Sequence, residues 1–308
     1  MHDIPFAWRA ATLARSGNYD VVHAVEESAL LVSPFIPRGV RLVVDMDSDL
    51  GEQLSQSNSL GARSLGPLAR GLHARSLRRA DLAIVINASL EELVRRARPA
   101  LPVHRIEDPP LVSLLTAADR EAGAQLRGEL DLGEAGIALY TGNFEPYQGV
   151  LLMAQAAGGL KDVLCVFVGG EAEDIKDLKS RLTPEERQRC RFAGKQAPEA
   201  LPRFLALADV LVSPRTMGGN TPFKLYTYLA SGKPIVATRL DTHTQVLSDE
   251  TAFLVEPTPE ALAAGIEAAI KSPDERSRRA RNGTALFERE YSVKRYREKV
   301  EAAYNALR

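Results

Sequence analysis

The stretch that most constrains the fold runs from Asp209 to Thr238. Val210 to Val212 is a short apolar run rich in β-branched residues, the pattern of a buried strand. SPRTMGGN follows, a loop with two adjacent glycines, and then TPFKLYTYLAS. The latter reads as a helix with Thr221 as its cap and Pro222 in its first turn, where a missing N–H costs nothing. Gly232 is the expected left-handed stop, Pro234 blocks continuation, and Ile235 to Ala237 is the next buried strand. Strand, glycine loop, helix and strand in that order build a parallel α/β sheet. Ligands of such sheets sit beyond the C-terminal ends of the strands. Here that place holds Arg215, Gly218, Gly219, Asn220, Thr221, Phe223 and Lys224. A helix N-terminus with free amides beside a lysine and an arginine suits an anion, phosphate above all. The competing reading is an ordinary connecting loop, its glycines serving only the turn and Lys224 solvated.

The remaining chain repeats the alternation of strand and helix. Strands are predicted at 20–25, 40–50 (running into an acidic loop), 81–87 and 101–106, with helices at 26–31, 62–79 and 89–97. Phe6, Ala10, Leu13 and Ala14 fall on one face of a helix that opens the chain. The arginines of 62–79 (Arg63, Arg70, Arg75, Arg78 and Arg79) read as a solvated face, with a membrane surface as the lesser alternative. Asp108-Pro109-Pro110 breaks regular structure and divides the chain into domains 1–110 and 111–308. The second domain restarts with a helix at 115–129 and strands at 136–144, 163–168, 190–193 and 252–255. Its helices fall at 149–158, 172–181, 198–206, 258–270 and 274–289. A last helix over 292–308 can pack back on the first domain.

A length of 308 residues fits two domains, and a net charge of −1 gives no general pull towards nucleic acid. Two cysteines exclude a disulfide framework and have no metal spacing; Cys165 reads as a core residue. No apolar run reaches about 18 residues, and the first residues lack the features of a signal peptide, so a cytoplasmic protein is expected.

Taken in order, TGNFEPYQG at 141–149, VGG at 168–170, RFAGKQAPEALPRFLALADVLVSP at 191–214, TPFKLYTYLASGKPIVAT at 221–238 and AFLVEPTPEAL at 252–262 resemble the retaining glycosyltransferases of the GT-B fold, family 4. YDVVHAVEE at 19–27 and LVVDMDSDL at 42–50 resemble two later strands of that family's N-terminal domain. The resemblance implies an α/β protein of two Rossmann-like domains, the N-terminal one lacking its first strands. It implies a nucleoside-diphosphate sugar as donor, held by the C-terminal domain without a cofactor or metal, and an acceptor (glycan, lipid or small molecule) docked on the N-terminal domain. The leaving-group phosphate would itself take the acceptor proton.

Three departures stand out. The family's Glu-x7-Glu pair is replaced by Gly219 and Thr227, and its diphosphate clamp by Asn143 and Gln148, leaving Arg215 and Lys224 as substitute cations. Asp47 stands where the family has a histidine, and an ionised Asp donates no hydrogen bond. The resemblance therefore implies His23, Asp47, Arg215 and Lys224 as catalytic residues. Gly142, Asn143, Gln148, Gly170, Lys195, Gly218, Gly219, Asn220, Thr221, Phe223 and Thr227 would hold the donor. On residue type alone His23 is equally a satisfied core histidine. Asp45, Asp47 and Asp49 read as a solvated acidic loop rather than a metal site. Glu145 and Tyr147, after a glycine turn at a strand end, favour the site; His243 reads equally as capping context or ligand contact. A non-catalytic, degenerate nucleotide-sugar-binding relative is the alternative function, supported by the missing glutamates and strands; a sugar-nucleotide epimerase is a weaker third.

Overall fold

The structure, a computed structural model, describes residues 3–17, 19–48, 66–110 and 114–307. The chain forms two compact units: residues up to Asp108 together with those from Tyr296, and Pro109–Arg295.

The first unit holds β1 (Val21–Val25), β2 (Arg41–Met46), β3 (Leu82–Val85) and β4 (Val103–Arg105), paired in parallel in that order. β2 and β3 are nearly continuous apolar runs because both of their faces are covered. Leu42, Val44 and Val85 face one core, with Leu77, Leu90 and Val94 from the helices Gly66–Arg79 and Ala88–Ala97. Val43, Leu82 and Ile84 face another, closed by Tyr296, Val300 and Ala303 of the final helix, Val293–Asn305.

The second unit is a six-stranded parallel sheet: β5 (Gly136–Thr141), β6 (Val163–Val168), β7 (Cys190–Gly194), β8 (Val210–Ser213), β9 (Ile235–Thr238) and β10 (Phe253–Val255). Its order is β10-β9-β8-β5-β6-β7. The chain winds outward from β5 to β7, then returns to β8 and winds the other way. The reversal between β5 and β8 opens a crevice at the C-terminal strand ends, where doubly wound sheets bind ligands. Cys165 and Cys190 face each other across β6 and β7 as free, buried thiols; burial pushes Cys190 up to about 12 and Cys165 well above the usual value, so neither is a nucleophile.

Several details depart from the sequence reading. The helix after the glycine loop is Lys224–Ser231, and Thr221 does not cap it. Pro222 and Phe223 instead form a turn that closes on the Leu225 and Tyr226 amides, at 2.9 and 3.2 Å. The opening helix, Asp3–Ser16, does not bury Phe6 and Leu13, which are exposed along with Trp8. It packs through Ala11 and Ala14 instead, since small side chains let a neighbouring helix approach more closely than a phenylalanine would. Arg79 is not simply solvated: it donates to the Pro37 carbonyl at 2.9 Å and lies 3.8 Å from Asp81. Arg63, Arg70 and Asp49 lie outside the described side chains. A helix at Pro184–Gln188, missed from sequence, carries a capping box between Thr183 and Glu186. No helix among the described residues is long and apolar enough to cross a membrane.

Candidate functional site

A cavity of about 460 Å³ occupies the crevice in the second unit. Its walls come from the loops after four adjacent strands. Arg215 follows β8, Gly142 and Asn143 follow β5, Gly169 follows β6, and Lys195 to Pro198 follow β7. Three strand spacings of about 4.8 Å give a trough of roughly 14 Å. Its β8 end is cationic and its β7 end, with Ala197, Pro198 and Leu201, largely apolar.

The cations are unusual. Lys224 is partly exposed as a residue, but its ammonium is enclosed: it sits 3.8 Å from the Tyr140 ring centre and donates to Gln148 Oε1 at 3.1 Å. Arg215 is buried, stacks over Tyr147 at 5.1 Å and donates to the Asn220 carbonyl at 2.5 Å and to Thr242 Oγ1 at 3.0 Å. Neither has a carboxylate partner among the described residues. Burial, then Arg215, pushes the Lys224 ammonium well below the usual lysine range. Arg215 Nε and Thr227 Oγ1 line the same cavity, buried and with no hydrogen-bond partner. Buried cations and unpaired polar atoms facing a cavity are costly without a ligand, and an anion with hydroxyls answers both.

Arg215 is held from behind. His243 is fully buried in the short helix Asp241–Thr244. Its Nδ1 lies 2.7 Å from the Thr238 carbonyl and its Nε2 2.8 Å from Ser213 Oγ. Thr238 Oγ1 in turn donates to the Arg215 carbonyl at 2.6 Å. Burial above all, with Arg215 and Lys224 adding to it, lowers His243 to about 4, so the ring is neutral at physiological pH. With Nδ1–H given to the carbonyl, Nε2 accepts from Ser213. His243 thus braces the loop instead of meeting a ligand.

The structure brings Gly142, Asn143, Gln148, Lys195, Arg215, Phe223, Lys224 and Thr227 together around this cavity. It does not bring Gly170, which packs under the Phe144 ring; Gly169 lines the wall in its place. Gly218, Gly219, Asn220 and Thr221 also lie off the lining. The Asn220 carbonyl is engaged by Arg215, and that of Gly219 accepts from Gln245 Nε2 at 3.0 Å. Glu145 is exposed, whereas Tyr147 supports Arg215. Lys195 is fully exposed and paired with Glu171 at 2.9 Å. Sequence reasoning missed Tyr140, beneath Lys224, and the wall of Gln196, Ala197, Pro198 and Leu201, although the rule that ligands gather at strand ends points to the loop after β7.

His23 and Asp47 lie elsewhere, around a cavity of about 250 Å³ at the strand ends of the first unit. His23 is not a core residue; its side chain is 31% exposed. Its Nε2 contacts Asp45 at 2.9 Å and its Nδ1 the Tyr304 hydroxyl at 2.6 Å. Burial, with Asp45 and Asp108 nearby, raises Asp47 to about 6. Below that pH the protonated carboxyl donates a hydrogen bond, which the sequence reading denied to the ionised form. Glu26, read as a helix-opening residue, adopts φ 52° and turns its carboxylate to the Asp47 amide at 2.6 Å. Strained backbone of this kind gathers at functional sites.

Comparison with known proteins fits this geometry. Residues 135–272 match the family described as Glycosyl transferases group 1. Over 126 residues the chain is 27% identical to the lipopolysaccharide 1,2-N-acetylglucosaminetransferase of Salmonella typhimurium, a match covering 37% of this chain and 33% of that enzyme. Among solved structures it is similar to Alr3699/HepE of Anabaena in complex with UDP, with a TM-score of 0.83 and 18% identity, over 98% of this chain and 82% of the other. It is also similar to a sucrose-phosphate synthase of Thermosynechococcus elongatus, with a TM-score of 0.81 and 22% identity, over 99% and 78%. The chain thus has the GT-B fold of these structures, and the stretch that matches the group 1 glycosyl transferase model lies within its second unit.

Proposed function

We propose that the protein transfers a sugar from a nucleoside diphosphate to a hydroxyl-bearing acceptor, with retention of configuration and without a metal ion. The observation that carries this reading is the pair of buried cations, Arg215 and Lys224, without carboxylate partners at a trough long enough for a nucleoside diphosphate. The diphosphate lies against these cations and the Phe223–Lys224 helix start, and the base lies along the apolar wall at Ala197 and Leu201. As the bond from the sugar to the diphosphate breaks, its electrons pass to the leaving oxygen. Arg215 and Lys224 bind that oxygen more strongly as its charge grows, which is the condition for catalysis. The acceptor binds to the first unit, where His23, Asp45, Asp47 and Tyr304 offer hydrogen bonds to hydroxyls.

Calorimetry with UDP, the ligand named for the Anabaena protein, and with uridine tests the reading. UDP is expected to bind at least about a hundredfold more tightly, as two charge-assisted contacts require, with no change on adding EDTA. Equal affinity for the two would sink the phosphate assignment.

Among the described residues no carboxylate lines the cavity, which favours a second reading, a binding protein that does not turn over. Tight UDP binding with no release of UDP from UDP-glucose, across glycan, lipid and small-molecule acceptors, would select it.

The ribose contact has its own test. Thr227 Oγ1 is buried without a partner where a carboxylate would accept from both ribose hydroxyls. Thr227→Glu is expected to tighten UDP binding about tenfold, and Thr227→Val to leave it near wild type. An unchanged dissociation constant in a Glu variant with a normal melting temperature would remove Thr227 from the ribose contact.

A further inference from the structure

A larger groove, about 730 Å³, opens on the opposite edge of the same sheet. Its floor is Asp209 and Gly232 to Pro234, at the N-terminal ends of β8 and β9, whereas the nucleotide trough lies at the C-terminal ends. Its wall is one face of the helix Pro273–Glu290, where Ser277, Ala280 and Thr284 are small enough to leave the space open.

The charge of this groove is one-sided. Lys233, Arg276 and Arg281 line it against a single acid, Asp209. That acid is already engaged: its Oδ2 accepts from the Ile137 amide at 2.8 Å and lies 3.4 Å from Arg127. Lys233 is anchored by the carbonyls of Ala206 and Ala208 at 2.8 and 2.6 Å, so its charge is fixed in the floor. On the same helix, Arg278 pairs with Glu250 and Glu275, and Arg279 with Glu275. Arg276 and Arg281, turned to the groove, form no ion pair among the described residues. The helix thus neutralises the arginines that face away from the groove and leaves bare those that face into it. Burial above all lowers the Lys233 ammonium; Asp209 opposes the shift, and Arg120, Arg276 and Arg127 add to it.

We infer that this groove is a second anion site, separate from the nucleotide trough, that takes a phosphate group on Arg276, Arg281 and Lys233, with Ser277 as a hydroxyl donor. The phosphate comes either from a small soluble molecule or from a lipid headgroup. Guanidinium forks suit both, because each presents the same oxygens.

The test uses the full chain at low ionic strength. Pyrophosphate is titrated into the wild type, Arg276→Glu/Arg281→Glu and Arg276→Gln/Arg281→Gln. In parallel, each protein is sedimented with phosphatidylglycerol vesicles and with phosphatidylcholine vesicles. Both pairs are expected to lose one pyrophosphate event, weakened at least about tenfold, while UDP affinity and melting temperature stay near wild type. The Gln pair guards against a folding defect in the Glu pair. Loss confined to pyrophosphate assigns a soluble phosphate ligand. Loss of phosphatidylglycerol binding, with phosphatidylcholine unaffected, assigns a headgroup. Unchanged pyrophosphate and vesicle binding in both pairs would overturn the inference.

Discussion

Replacing Lys224 with methionine is expected to weaken nucleoside-diphosphate binding by about a hundredfold and to make the ligand-free protein more stable. The loss follows from a buried ammonium facing the diphosphate: one such charged contact contributes about 3 kcal/mol, or some two decades in affinity. The gain follows from the same burial. A lysine without a carboxylate costs the folded state, and an apolar side chain of similar length relieves it by about 1–3 kcal/mol. The sign with pH can be worked out. Because the folded pKa lies below 10.5, the unfolded chain binds more protons between the two values, so wild-type stability rises with pH across that window. The stability advantage of Lys224→Met should therefore be greatest at the acid end and shrink as pH approaches 10.5. An arriving diphosphate favours the charged form, so within the pH window where free Lys224 titrates, wild-type binding takes up a proton. The heat of binding will then vary with the ionisation enthalpy of the buffer, and in Lys224→Met it will not. A variant that binds UDP normally would show that the ammonium faces no phosphate.

Gly149→Ala should have the largest effect on folding. Gly149 has φ 72° at the start of the helix Val150–Ala156, and an added Cβ would lie 1.8 Å from the Pro214 carbonyl oxygen. Left-handed backbone costs alanine about 1 kcal/mol. The clash costs more, because both partners are backbone and must move apart. The loops after β5 and β8 are tied here by the Thr216 amide on the Tyr147 carbonyl at 3.1 Å, so displacement carries Arg215 with it. A loss of about 4 kcal/mol is expected, which lowers the melting temperature by roughly 10 °C and weakens UDP binding. Gly159→Ala is the control: its nearest neighbour is the Ala263 Cβ at 3.6 Å, and the change should stay within about 0.5 kcal/mol. Matching melting curves for the two variants would refute the close-contact account.

Much of the second unit was legible because its strands are buried on both faces and punctuated by glycine and proline. Val163–Val168 and Val210–Ser213 stand out as unbroken apolar runs, and Gly232 ends its helix in the left-handed conformation its position implied. The cavity at the strand ends was legible for the same reason, since strand ends locate it. Finer placement was not. Gly169 and Gly170 differ only in which way the strand end turns. Pro222 suits a first helical turn and a preceding β-turn equally well, and its residue type does not choose between them. The partner of His23 was beyond reach, since Tyr304 lies 281 residues away. The opening helix misled because hydrophobicity was taken for burial, whereas close packing selected its alanines.

The return of the final helix to the first unit has a consequence for how the protein is made. Val43, Leu82 and Ile84 are covered by Tyr296, Val300 and Ala303, so this unit interrupts itself between Asp108 and Tyr296. A ribosome adding about 5–20 residues per second needs roughly 10–40 s to cross that interval. For all of that time the nascent first sheet carries an uncovered apolar face, while the second unit, contiguous in sequence, can complete itself. The first unit, begun before the second, is therefore completed after it, when the final helix covers strands made long before.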